Sequence, residues 1–128
     1  MSRNWVKQIL DSMMLTVIDP KIPGARRSDC YAHCAMAIRT QDIPDDAIFA
    51  IYGKGDMPAH GVIVYGNDVI VDAFEYGRVE FTGDMIKYDI DKFGMKLEPL
   101  NVVYQISVGK FKEEVRKKYQ ELLDKSDK

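Results

Sequence analysis

Residues 60–74 read HGVIVYGNDVIVDAF, two β-branched runs separated by Gly66-Asn67-Asp68. Val, Ile and Tyr suit a pleated strand, and Gly, Asn and Asp tolerate the positive φ of a tight turn, so the stretch spells a β-hairpin. His60 opens the first strand, and Asp72 lies twelve residues on, near the end of the second. A tight hairpin of that length is expected to pair its first and last positions, setting Asp72 beside His60. Asp72 interrupts the apolar run Val69-Ile70-Val71 and Ala73-Phe74. An unpaired carboxylate there costs several kcal/mol. Facing an imidazole, it would fix the ring's tautomer and stabilise the imidazolium. That is the orienting half of a catalytic triad, and it calls for a nucleophile. Asp68, by contrast, reads as a turn residue.

Upstream, residues 28–38 read SDCYAHCAMAI. Ser28 or Asp29 suits an N-cap, which puts Cys30 in the first turn of a helix. There the macrodipole and the free backbone amides favour a thiolate, and the same amides can donate to a developing oxyanion. A free cysteine is most often a small buried hydrophobe. The position before a His-hairpin-Asp argues for the nucleophile instead. Cys34, one turn deeper, is expected to be buried and inert, and His33 to be a solvated helix histidine.

Around this centre the chain reads as α+β. Residues 3–18 carry a helical stripe of Trp5, Val6, Ile9, Leu10, Met13, Met14, Val17 and Ile18, stopped by Pro20. The connector DPKIPGARRS follows, then the Cys helix, rich in alanine and suited to close packing on a sheet. Strands are expected at 47–52, 60–65, 69–74, 79–82, 85–88 and 101–108. Residues 110–128 form a closing helix with Phe111, Val115, Tyr119, Leu122 and Leu123 on one stripe. The expectation is a single domain over residues 1–128, with an N-terminal helix and a Cys-bearing central helix on an antiparallel sheet, and a C-terminal helix.

The 128 residues are 46% hydrophobic with a formal net charge of −2, enough for one core and without the broad basic face of a nucleic-acid binder. The run from Met13 to Ile18 is preceded by Lys7, Gln8 and Asp11, so neither a signal peptide nor membrane insertion is expected. Two cysteines four residues apart offer no disulfide framework, which suits a reducing, cytoplasmic compartment. Cys30, His33, Cys34 and His60 together would be a possible zinc set. Against that, ligands three and four apart on a buried helix need a vacant face. The triad reading needs neither metal nor cofactor.

These motifs resemble those of the NlpC-type cell-wall endopeptidases of the papain-like superfamily. That family has D-C-S-G at the nucleophile, H-V-G-I-Y-x-G-N-G-x-x-I-H-A at the base and P-G-D-L-V-F-F in the strand before it. Asp29-Cys30, residues 60–73 and PDDAIFAI at 44–51 are the matching segments. The resemblance implies a papain-like fold with Cys30 as nucleophile, His60 as general base and Asp72 as the third polar residue, usually histidine in the family. Tyr31-Ala32 stands where the family has Ser-Gly, and the stretch between the Cys helix and the first strand is shorter. The implied activity is a cysteine peptidase or amidase cutting an amide through an acyl-thioester. The family substrate is a peptidoglycan stem peptide, which a cytoplasmic chain would meet by phage-borne or secretion-system delivery. An intracellular amide, as for a protein deamidase or isopeptidase, is the variant within the enzyme class. A catalytically inactive or inhibitory binding module on the same fold is the rival outside it. Substrate is expected to enter over a mobile, exposed loop, Gly53-Lys54-Gly55-Asp56.

Overall fold

The apolar stripe of the first segment forms helix α1 (Asn4–Ile18), followed by α2 (Asp29–Thr40), which carries the two cysteines. The structure is a computed structural model that describes residues 4–25, 29–55, 57–73, 79–82, 84–88 and 99–126. Ser28, Arg26, Arg27, Asp56 and Phe74 lie outside them. Within α1 the side chains turned inward are Val6 and Met13, with Ile9, Leu10, Met14 and Val17 packed beside them. Trp5, expected on the same stripe, is 55% exposed. It sits one position round the helix from Val6, at the edge of the buried face.

The end of α1 is closed by a contact that residue patterning does not announce. Arg39, in the last turn of α2, donates from Nη1 to the carbonyls of Val17 and Ile18 at 2.6 and 2.7 Å. Those are carbonyls a helix leaves unsatisfied at its C-terminus, and a cation there also suits the macrodipole. The two helices are thus joined end to end as well as along their sides.

Six strands follow: β1 (Ile48–Lys54), β2 (Met57–Tyr65), β3 (Asp68–Val71), β4 (Val79–Phe81), β5 (Met85–Tyr88) and β6 (Leu100–Ser107). They form one antiparallel sheet in the order β3-β2-β1-β6-β5-β4. Central β1 is buried from Phe49 to Gly53 because both faces are covered. Phe49 and Ile51 pack under the helices with Ile63, Val71, Cys34, Ala35 and Ile38. Ala50 and Tyr52 alternate to the other face, where they meet Val62, Val64 and Ile86.

Helix α3 (Val108–Ser126) starts directly from β6. Val108 and Phe111 are buried and Val115 packs partly on the core, as its stripe suggests. Tyr119 and Leu123, expected to continue that stripe, are 50% and 39% exposed. The reason is length: at 1.5 Å per residue the helix runs about 28 Å, and its last turns outreach the core. Among the described residues no helix is long and apolar enough to cross a membrane.

Candidate active site

Cys30 is the second residue of α2, inside the first turn, where backbone N–H groups have no helical acceptor. Its side chain is nearly buried against the sheet. His60 lies in β2, wholly shielded from solvent, and its Nε2 stands 2.8 Å from Asp72 Oδ1. An ionised carboxylate only accepts, so Nε2–H is the donor and the remaining lone pair of a neutral ring is on Nδ1. Cys30 lies close enough to the same histidine for its thiol to help raise the imidazole pKa. Of the three residues singled out from the sequence, His60 and Asp72 are in direct contact, and Cys30 is near enough to influence His60.

The electrostatics follow from burial and pairing. Burial is the largest single influence on His60 and pulls its pKa down. The hydrogen bond to Asp72 and the neighbouring Cys30 together outweigh it and hold the group above the ordinary histidine value of 6.5. The imidazolium is thereby favoured, which is the state a base must reach after taking a proton.

The contact between His60 and Asp72 is made differently from the expected direct cross-strand pairing. The turn is the two-residue loop Gly66-Asn67, with Gly66 at φ +63°, and Tyr65 pairs with Asp68. Val64 then pairs with Val69 but Ile63 with Val71, so Ile70 is an extra, bulged residue. Continuing that register sets Asp72 level with Val62, two residues along β2 from His60. The pair is a diagonal one, which long polar side chains can bridge. A second bulge lies at the base itself. Tyr52 pairs with His60 and Gly53 with Pro58, leaving Ala59 unmatched immediately before the histidine. Bulges beside functional side chains re-aim them, and this one falls where the imidazole must turn towards α2.

The nucleophile's helix is held tightly to the base's strand. Cys34 Sγ donates to the Gly61 carbonyl at 3.5 Å. Burial first, then the charges of Cys30 and Asp72, push the Cys34 thiol up, so it stays protonated. The Tyr31 ring lies over Gly61, where an added Cβ would come within 2.6 Å of its Cδ1. Burial also pushes the Tyr31 phenol up, and it remains neutral. Tyr31 and Gly61 carry no chemistry signal in the sequence. Their role is visible only once helix and strand are docked.

His33 is exposed on the outer side of α2, as its helical position suggests. With Cys34 committed to Gly61, the four residues of a zinc set do not converge, and among the described residues no group of three potential ligands is positioned for a metal. The loop expected at 53–56 is shorter than anticipated. Gly53 and Lys54 belong to β1, and Gly53 is buried so close to the next strand that any Cβ there would overlap the Met57 carbonyl. Lys54 and Gly55, the latter at φ +58°, form the exposed tip of the β1–β2 hairpin. Compared with protein-family models, curated proteins and solved structures, the chain finds no match in any of the three.

Proposed function

We propose that this chain is a cysteine hydrolase of papain-like, NlpC-type organisation acting on an amide bond, with Cys30, His60 and Asp72 as its triad. The observation that carries the reading is the buried His60 hydrogen-bonded to Asp72 at 2.8 Å and under the electrostatic influence of a cysteine at a helix N-terminus. A shielded imidazole–carboxylate pair is costly to bury, and a triad gives it a use.

In the proposed mechanism His60 Nδ1 takes the Cys30 thiol proton as Sγ attacks the substrate carbonyl carbon. The backbone N–H of Cys30, at the free end of α2, donates to the oxyanion. The imidazolium, stabilised by Asp72, then gives its proton to the leaving nitrogen and the C–N bond breaks, leaving an acyl-thioester. Water deprotonated by the same nitrogen attacks that thioester and releases the acid. Transfer to an amine acceptor follows the same path.

Iodoacetamide labelling at neutral pH with mass spectrometry is the first test, and Cys30 is expected to react while Cys34 does not. Incubation with stem peptides and with cell lysate should then leave an acyl adduct on Cys30. A reactive Cys30 with neither adduct nor product would favour a binding module on this scaffold. An inert Cys30 removes the nucleophile altogether.

A further inference from the structure

A cavity of about 330 Å³ lies between α1, α2 and the start of β2. Helix α1 contributes Trp5 and Ile9 to its wall, and Tyr31 and Ala32 of α2 continue it. Pro58 and Ala59 complete it from β2. These wall residues directly follow Cys30 and directly precede His60 in the chain. The chain neighbours of nucleophile and base thus share one cavity wall, which makes it the candidate seat for a substrate residue flanking the reacting carbonyl.

Its wall is mainly apolar, with Gln8, Ser12 and Thr16 of α1 as its polar residues, and no charged side chain lines it among the described residues. Thr16 is fully buried and its hydroxyl donates to the Ser12 carbonyl at 2.9 Å. An ionic substrate group entering here would lose its water and find no counter-charge, whereas an apolar one would exchange water for Trp5, Ile9, Tyr31 and Pro58. The volume falls at the small end of ligand pockets, sufficient for a single side chain such as Leu, Met or Phe.

We infer that this cavity is a specificity pocket for a bulky apolar side chain flanking the amide that is cut. The inference rests on the hydrolase reading above, and it names the substrate class: peptides or acyl amides with a large apolar residue next to the reacting bond. Trp5 is a wall of the mouth, which explains a large aromatic left 55% exposed at the end of an otherwise inward stripe.

The test is the rate of Cys30 alkylation by blocked dipeptidyl vinyl sulfones. These carry Leu, Phe, Lys or Glu at the first or second residue from the electrophile, and iodoacetamide runs in parallel. The Leu and Phe probes should react at least tenfold faster than the Lys and Glu probes. Trp5→Ala and Ile9→Glu should each reduce that preference severalfold, and Ile9→Glu should raise the rate with the Lys probe. Trp5 is the chain's single tryptophan, so its emission should also shift on adding acetyl-leucinamide to Cys30→Ala but not on adding acetyl-glutamic acid amide. Equal probe rates with a normal iodoacetamide reaction would overturn the pocket and leave the nucleophile intact. An iodoacetamide-inert Cys30 would overturn both. Should Ile9→Glu fail to fold, the exposed Trp5→Ala decides, and an unchanged preference there counts against the pocket.

Discussion

Gly61→Ala isolates the docking of α2 on β2. A methyl group at this position would sit 2.6 and 2.7 Å from Tyr31 Cδ1 and Cε1, and 3.1 Å from Phe49 Cε1. Ordinary carbon contacts lie at about 3.5–4.0 Å, so the Tyr31 ring must retreat by roughly 1 Å. Phe49 is fully buried and Tyr31 nearly so, which closes the routes by which the rings might rotate aside. The displacement then passes along the backbone to Cys30, the preceding residue. Overpacking of this kind costs about 1–3 kcal/mol. A misplacement near 1 Å between reacting groups costs on the order of 100-fold in rate. Two assays follow: denaturant unfolding for the first figure, and Cys30 alkylation or turnover for the second. The expected signature is a catalytic loss far larger than the stability loss. Stability lowered by less than about 0.5 kcal/mol, with Cys30 reactivity within twofold of native, would refute the claim that this contact sets the site.

Asp72→Asn should keep the fold and reduce turnover by roughly two to four orders of magnitude, since an amide stabilises the imidazolium poorly. Steady-state kinetics checks this, and full activity would make Asp72 structural. The same variant tests linkage. His60 is held above 6.5 in the folded chain, so the stability from its ionised pair is fully present below pH 6.5. That stability is lost as pH rises through the folded-state pKa. The unfolding free-energy difference between native and Asp72→Asn should therefore shrink with rising pH, and a difference that grows contradicts the assignment. With His33→Gln removing the other histidine, imidazole NMR reads the His60 titration alone, and its pKa should fall when Asp72 is replaced. Arg39→Met should lower stability by about 1 kcal/mol and fray the end of α1 in hydrogen exchange, leaving Cys30 reactivity nearly unchanged.

The elements were legible because their periods are clean. Alternating Val and Ile marked β2 and β3, the stripe of α1 gave a helix within one residue of that observed, and the cap signal marked where α2 starts. Cys30, His60 and Asp72 were legible as a group from two cues: a cysteine after an N-cap signal, and a carboxylate that an apolar strand cannot hold alone. The extra residues Ala59, Ile70 and Val103 were not, because a bulge has no local signature here. Each is fixed by the strand it fails to match. The insertion of β6 between β1 and β5 was hidden for the same reason, as pairing partners distant in sequence leave no pattern in either strand. The stripe of α3 misled in the opposite sense. Tyr119 and Leu123 obey helical periodicity, yet periodicity says which face is apolar and not where the neighbouring core stops.

The seam between α2 and β2 also decides how the site responds to heat. Cys34 and Tyr31 grip Gly61 within one turn of Cys30 and one residue of His60. The two reacting side chains are tied through this packed seam, so their spacing is as stiff as the interior that surrounds it. Warming should then raise the rate along an ordinary activation curve right up to the unfolding transition. Activity and tertiary structure should disappear together, with no lower-temperature step in which a loosened site sits on an intact fold.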